Sequence, residues 1–245
     1  MSVSLLLLLA VCIVAVAILY SCIGHGGASG YLAVLALFSL APAVFKPTAL
    51  VLNILVSAVA TFHFARSGHF SWRLFWPFAV ASIPFSYIGG GLSLPETVFN
   101  PLVGILLLAS ACRLFFKRER EEKETLPPSV PAALVVGAVF GLLSGLTGVG
   151  GGIFLSPLML LLRWARAREV SAVSALFILV NSIAGLLGHI GSLQAVPGYL
   201  PILAASALCG GFAGSFFGSR RLSAAGILKT LSAVLTIAGF KMLLV

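Results

Sequence analysis

Apolar residues form long, nearly continuous runs along this chain, and short polar turns separate them. Ten apolar segments are predicted, at residues 5–23, 29–44, 47–65, 74–94, 97–116, 130–147, 150–163, 170–190, 197–218 and 225–245. Most of them approach the roughly 17 to 25 residues that a helix needs to cross the hydrocarbon core of a bilayer. The pattern predicts an all-α polytopic integral membrane protein whose outer surface contacts the lipid bilayer.

Composition and charge support this fold class. Hydrophobic residues make up 60% of the 245 residues and charged residues only 9%, far below the roughly 25% of a soluble domain. The net charge of +9 would suggest a nucleic-acid partner in a soluble protein. Here, with the amino terminus outside, all 15 Lys and Arg residues except Lys46 and Lys241 fall on the cytoplasmic side. That is a positive-inside bias, so the charge reports topology and no nucleic-acid partner is predicted.

The chain divides into two similar halves. A charged stretch predicts a cytoplasmic linker at 117–129, between a first transmembrane repeat at 1–116 and a second at 130–245. Five segments in each half, an odd number, would make the second repeat inverted relative to the first. Segments 29–44 and 150–163 are short, as is typical of broken or re-entrant helices, so the prediction is eight to ten transmembrane helices.

Glycine-rich loops interrupt the apolar runs at equivalent places in the two halves, about 124 residues apart. Opened backbone is tolerated at membrane depth only where it is buried in protein or lines a cavity, and such paired interruptions point to a binding site. Loop N–H groups and the helix starts behind them favour an anion without any Lys or Arg. The candidate substrate-binding residues are the loop residues and nearby polar side chains: Gly24, His25, Gly26, Gly27, Ser29, Thr147, Gly148, Gly150, Gly151, Gly152, Asn53 and Asn181.

The remaining polar chemistry is sparse. His25 is the candidate for proton coupling, because histidine changes its charge near physiological pH. For Asn53 and Asn181, hydrogen bonding between helices is as good an interpretation as ligand contact. All six acidic residues fall in predicted turns, which disfavours a cation as substrate. The four cysteines are spread singly, without metal-ligand spacing, and neither a metal nor another cofactor is predicted.

The second glycine loop carries a family resemblance. The run from Gly141 to Leu158, GLLSGLTGVGGGIFLSPL, resembles the signature of the TauE/SafE (sulfite exporter) permease family, with Gly24 to Gly27 as its degenerate first-half copy. The first half departs from the motif, with Ala28 in place of a third glycine and His25 opposite Val149. The resemblance implies a permease, not an enzyme, that moves sulfite or another sulfur-containing anion such as an organosulfonate across the bacterial cytoplasmic membrane. A proton or a sodium ion would be the coupling ion.

Two alternatives use the same residues differently. A passive anion channel could exploit the same helix-terminal dipoles. Gly27-Ala28-Ser29-Gly30 also resembles the Gly-x-Ser-Gly motif of rhomboid intramembrane proteases, with His189 as the partner of Ser29. A protease, however, gives no reason for a duplicated glycine loop. The sequence therefore favours a secondary transporter that works by alternating access.

Overall fold

The computed structural model describes residues 3–38, 42–92, 125–188 and 197–244, with part of the stretch from 101 to 115. Most of the predicted linker and His189 lie outside these residues. The helices are α1 (Val3–Ser21), α2 (Ala28–Leu37), α3 (Pro42–Arg66), α4 (Trp72–Gly90), α5 (Val130–Thr147), α6 (Gly152–Leu161), α7 (Ala167–Gly188), α8 (Leu200–Arg220) and α9 (Ala224–Leu244). Helical residues also occur between 101 and 115.

The surface of this bundle is apolar and much of its interior is polar. Large apolar side chains face outward, with Leu7 61%, Val11 65% and Val135 64% exposed. Asn53 and Asn181 are fully buried together with many serines. Five of the described helices are long and apolar enough to cross a membrane. An apolar exterior is what lipid contact requires, and the arrangement confirms the predicted all-α polytopic membrane protein.

Helices α4 and α5 pack backbone to backbone. Their contacts advance together along the two helices: Gly137 lies on Phe78, Gly141 on Ser82 and Gly145 on Ser86. At each of these glycines, a Cβ atom would overlap the backbone of α4. Small residues permit such close approach in lipid, where helices associate by van der Waals packing rather than by the hydrophobic effect. The order of the contacts shows that α4 and α5 run in the same direction.

Helices α1 and α8 form a similar pair from the other ends of the chain. Three glycines of α8, one turn apart, lie against the backbone of α1 and of the residue that follows it: Gly210 on Val14, Gly214 on Ile18 and Gly218 on Cys22. These contacts also advance together, so α1 and α8 are parallel. The two parallel pairs form two sides of the bundle and join the amino-terminal helices to the carboxyl-terminal ones.

The contacts between helices follow a twofold pattern. When α1 to α4 are matched in order with α5 to α8, the α1–α8 contact corresponds to the α4–α5 contact. In the same way, α3–α8 corresponds to α4–α7, and α2–α3 corresponds to α6–α7. The matched helices α3 and α7 pack directly against each other. This pattern places α3 and α7, each joined by a short helix to a glycine loop, where the two halves meet.

The short helices α2 and α6 lie on return paths of the chain. Helix α3 is parallel to α8, because Val56 contacts Gly211 and His63 contacts Ser215 further along both helices. Since α1 and α3 both run parallel to α8, the chain must travel back between them, and α2 lies on that path. Helix α7 is parallel to α4, with contacts between Asn181 and Ser82 and between Gly188 and Tyr87.

It follows that α6 lies on the equivalent return between α5 and α7, since both of these are parallel to α4. A helix of 10 residues is about 15 Å long, roughly half the thickness of the hydrocarbon core. Neither short helix is long enough to cross the core by itself, as the short apolar segments predict. The glycine loops that precede them are buried and lie near the carboxyl-terminal ends of α8 and α4, where Cys22 contacts Gly218 and Gly145 contacts Gly90.

Replacing Gly141 tests the packing of α4 on α5. In Gly141→Val, the side chain would overlap the backbone of Ser82, and such overpacking costs about 1–3 kcal/mol. We expect a lower melting temperature of the detergent-solubilised protein. Gly198→Val is the control, because Gly198 has no neighbouring atom within 4 Å of a Cβ. Equal melting temperatures for the two variants would contradict the described packing.

Candidate functional site at the two glycine loops

Both glycine loops depend on backbone conformations that other residues rarely adopt. The first loop joins α1 to α2 and has positive φ angles at Gly24 (75°) and Gly27 (102°). The second joins α5 to α6, with positive φ at Gly148, Gly150 and Gly151. Side chains with a Cβ are strained in this region. Each loop leads directly into the amino terminus of a short helix, where the helix dipole is positive.

The loops carry backbone donors that the protein does not use. Within the described residues, the N–H groups of Gly26, Gly27, Gly150 and Gly151 have no acceptor in the protein. All four glycines are buried. Buried N–H groups without a partner are rare in proteins, and several together form a concave site for an anion. Both loops therefore carry buried backbone donors without an acceptor among the described residues.

Asn53 connects the two loops. Its side-chain Oδ1 accepts a hydrogen bond from the backbone N–H of Ala28 at 3.0 Å, and its Nδ2 donates to Ser182 Oγ at 2.7 Å. A Cβ on Gly26 would overlap the Asn53 amide, and one on Gly150 would lie 2.7 Å from its Nδ2. One fully buried amide of α3 thus touches both loops and ties the start of α2 to α7.

His25 connects the first loop to the second half of the chain. Its Nε2 is 2.8 Å from Ser156 Oγ on α6, and Ser156 Oγ is 2.7 Å from Ser174 Oγ on α7. All three side chains are buried. A histidine ring nitrogen can donate or accept, and both can only donate once the ring is charged. The directions of the hydrogen bonds among these three side chains therefore depend on the protonation of His25.

Ser29 is held by the helices on either side of it. Its hydroxyl donates to Tyr20 Oη on α1 at 3.0 Å. Its backbone carbonyl accepts from Lys241 Nζ on α9 at 3.3 Å. Lys241, one of the two basic residues that are not predicted on the cytoplasmic side, therefore places a positive charge beside the first loop. The alternative partner of Ser29, His189, lies outside the described residues.

A small cavity lies between the loops. Its volume is about 10 Å³, close to the space that one water molecule needs. The first loop and its neighbours form a polar wall of Tyr20, His25, Gly26, Gly27, Ala28 and Ser29, and Val149, Ile153 and Ile178 form an apolar wall. A polyatomic anion does not fit this volume, so the lining must move apart for such a ligand to enter.

Two predicted site residues make other contacts. Asn181 Nδ2 donates to Ser82 Oγ at 3.0 Å and to the Phe177 carbonyl at 2.8 Å, which joins α7 to α4. The Thr147 hydroxyl donates to the Leu143 carbonyl at 2.7 Å, one turn back in its own helix. Neither side chain lines the central cavity. Asn53 and His25 meet at the loops, and Asn181 joins the helices around them. Thr147 Oγ1 also accepts a hydrogen bond from the Val149 N–H of the second loop at 3.3 Å.

Sequence reasoning missed the serines that complete the site. Ser174 is linked to His25 through Ser156, and Ser182 bonds directly to Asn53. A signal was present, because Ser171, Ser174 and Ser182 recur at helical spacing along α7. Polar residues that share one face of a membrane helix face the bundle interior. That face of α7 is the one that meets the loops.

Comparison with known proteins places the chain among membrane transporters. The family model described as "Sulfite exporter TauE/SafE" matches residues 8–242. A probable membrane transporter protein of Sinorhizobium fredii, y4hK, is 41% identical over 239 residues, which cover 96% of this chain and 97% of the relative. A probable membrane transporter protein of Methanocaldococcus jannaschii, MJ0441, is 27% identical over 58% of this chain and 54% of its own length. No solved structure matches the chain.

Asn53→Leu tests the connection between the loops. The substitution removes both hydrogen bonds of the amide and leaves the Ala28 N–H and the Ser182 hydroxyl without this partner. A buried polar group left unsatisfied costs about 1–3 kcal/mol, so we expect a lower melting temperature in detergent. Ser206→Ala is the control, since the exposed Ser206 hydroxyl only bonds within α8. A wild-type melting temperature for Asn53→Leu would contradict the bridging role.

Proposed function

The chain belongs to the sulfite exporter TauE/SafE family and is a membrane transporter, and from this premise we propose that it moves a small sulfur-containing anion by alternating access. Sulfite or an organosulfonate is the proposed substrate, and the bacterial cytoplasmic membrane is the proposed location. One observation carries the proposal: two glycine loops, one from each half of the chain, meet around Asn53 with unused N–H groups.

An anion suits the chemistry of these loops. The groups that surround the cavity supply donors, namely loop amides, the Tyr20 hydroxyl and the nearby Lys241 ammonium. The starts of α2 and α6 add positive dipole ends. No carboxylate is among the residues that line the cavity. Such a set of groups stabilises negative charge and offers little to a cation.

The arrangement of the helices supports a carrier. Two matched sets of four helices meet at α3 and α7, and each set contributes one broken helix to the site. In transporters of this construction, one repeat rocks against the other around a fixed central site. The cavity of about 10 Å³ is too small for conduction, so substrate entry requires such a movement. This favours alternating access over a passive channel.

His25 is the proposed site of the coupling proton. It lies in the first loop, lines the cavity, and contacts Ser156 of the second half at 2.8 Å. A charged imidazole would donate to Ser156 and turn the Ser156 hydroxyl toward another acceptor. Tyr20, Tyr31 and Lys241 are other titratable groups near this part of the loop. Protonation would thus alter a contact between the halves at the substrate site.

Flux measurements on purified protein in proteoliposomes test the proposal. We expect saturable uptake of radiolabelled sulfite or taurine, and an imposed pH gradient should change the rate if His25 carries a coupling proton. Sulfate is the comparison anion, and liposomes without protein measure leakage. Absence of protein-dependent flux of all three anions would contradict the proposed substrate class. Flux without saturation would favour a channel.

Gly150→Val tests whether the second loop binds the substrate. Gly150 has φ 82°, and its Cβ would lie 2.7 Å from Asn53 Nδ2 and 2.8 Å from Ile178 Cγ2. The side chain would block the approach of an anion to the loop amides, so we expect the protein to insert but to lose transport. Gly68→Val is a matched control, because Gly68 has φ 78° and no atom within 4 Å of a Cβ. Equal flux in the two variants would show that the loop is not the site.

A further inference from the structure

We propose that the Tyr31 hydroxyl is a substrate ligand that donates a hydrogen bond to an oxygen atom of the transported anion. The inference rests on the proposed function, because it assigns a further binding residue to the same site. Sequence reasoning did not single out this tyrosine. Its importance comes from a juxtaposition that only the folded chain shows, namely a buried phenol without a partner against the first glycine loop.

The position of Tyr31 is unusual for a tyrosine. The side chain is fully buried in α2, and in the described part of the protein its hydroxyl has no hydrogen-bond partner. Buried tyrosine hydroxyls usually find one. A phenylalanine would fill the same volume without a polar group to desolvate. The hydroxyl therefore adds no stability to this conformation that phenylalanine would not also provide. This indicates that it is used in another step of the transport cycle.

The Tyr31 hydroxyl is directed at the loop. A Cβ placed on Gly27 would lie 2.9 Å from Tyr31 Oη, so the hydroxyl is next to a residue whose N–H is also unused. Gly27 lines the central cavity. When the lining parts to admit a substrate, the phenol and the Gly27 amide are neighbouring donors on the same side of the opening.

The surroundings of Tyr31 define the ligand. On the cavity wall that includes Gly27, Tyr20 accepts a hydrogen bond from Ser29 and keeps its own proton, which has no acceptor among the described residues. Lys241 Nζ donates a hydrogen bond to the Ser29 carbonyl, which places its positive charge near this wall. His25 lies in the same loop. Several donors that converge on one side favour an anion with more than one acceptor oxygen. Sulfite and sulfonates have this chemistry.

Tyr31→Phe separates a ligand role from a structural one. In proteoliposomes, we expect the KM for radiolabelled sulfite to rise roughly 10- to 100-fold, the loss expected for a hydrogen bond to a charged group. The melting temperature without sulfite should not fall, because the variant removes an unpaired buried hydroxyl. The stabilisation of the protein by a fixed concentration of sulfite should decrease, since this stabilisation grows with the logarithm of the ratio of ligand concentration to Kd.

Tyr87→Phe is the matched control, because Tyr87 is 54% exposed on α4 and should keep the wild-type KM. A wild-type KM in Tyr31→Phe, with normal flux in the wild type, would overturn this inference and leave the proposed function standing. A raised KM together with a lower melting temperature without sulfite would indicate a structural role and would also overturn it. Absence of wild-type flux of sulfite, sulfate and taurine would overturn the proposed function and this inference with it.

Discussion

The structure depends on one constraint: backbone N–H and C=O groups inside a bilayer have no water to bond with. Helices satisfy it along most of the described residues, and the two glycine loops are buried stretches where the helical pattern stops. There the Asn53 amide caps Ala28 and reaches Ser182, while neighbouring loop amides stay without an acceptor in the described protein. Such groups are costly to bury unpaired, and their presence in both loops is the main support for the proposed binding site.

The packing of the helices around the loops also follows from the lipid environment. Because lipid is as apolar as the side chains that face it, helices associate through close contact and polar bonds rather than by hiding apolar surface. Glycine supplies close contact in the two parallel pairs, α1 with α8 and α4 with α5. Serine, asparagine and histidine supply the polar bonds, from Ser86 on α4 to His25 at the first loop. The α1–α8 and α4–α5 pairs flank α3 and α7, and these two helices contact both loops.

Much of the fold was predictable, since apolar run length and the distribution of Lys and Arg depend only on local composition. Gly24–Gly27 and Gly148–Gly151 were recognisable because glycine-rich segments recur at equivalent places in the two halves of the chain. The side-chain partners were less accessible. Asn53 was a candidate, but its choice between the loops and a helix interface depends on how α3 is rotated, and Tyr31 looks like any aromatic residue of an apolar segment.

The sequence by itself determined that this protein lies in a membrane and where its helices run, because both follow from hydropathy. It also determined the two loops where the backbone opens, because glycine-rich segments recur in the two halves. Only the tertiary structure decided that both loops meet at one asparagine, that His25 reaches Ser156, and that Lys241 lies beside Ser29. These contacts join residues more than a hundred positions apart, except at Asn53. They depend on the rotation and direction of packed helices, which an apolar pattern without a polar face does not specify.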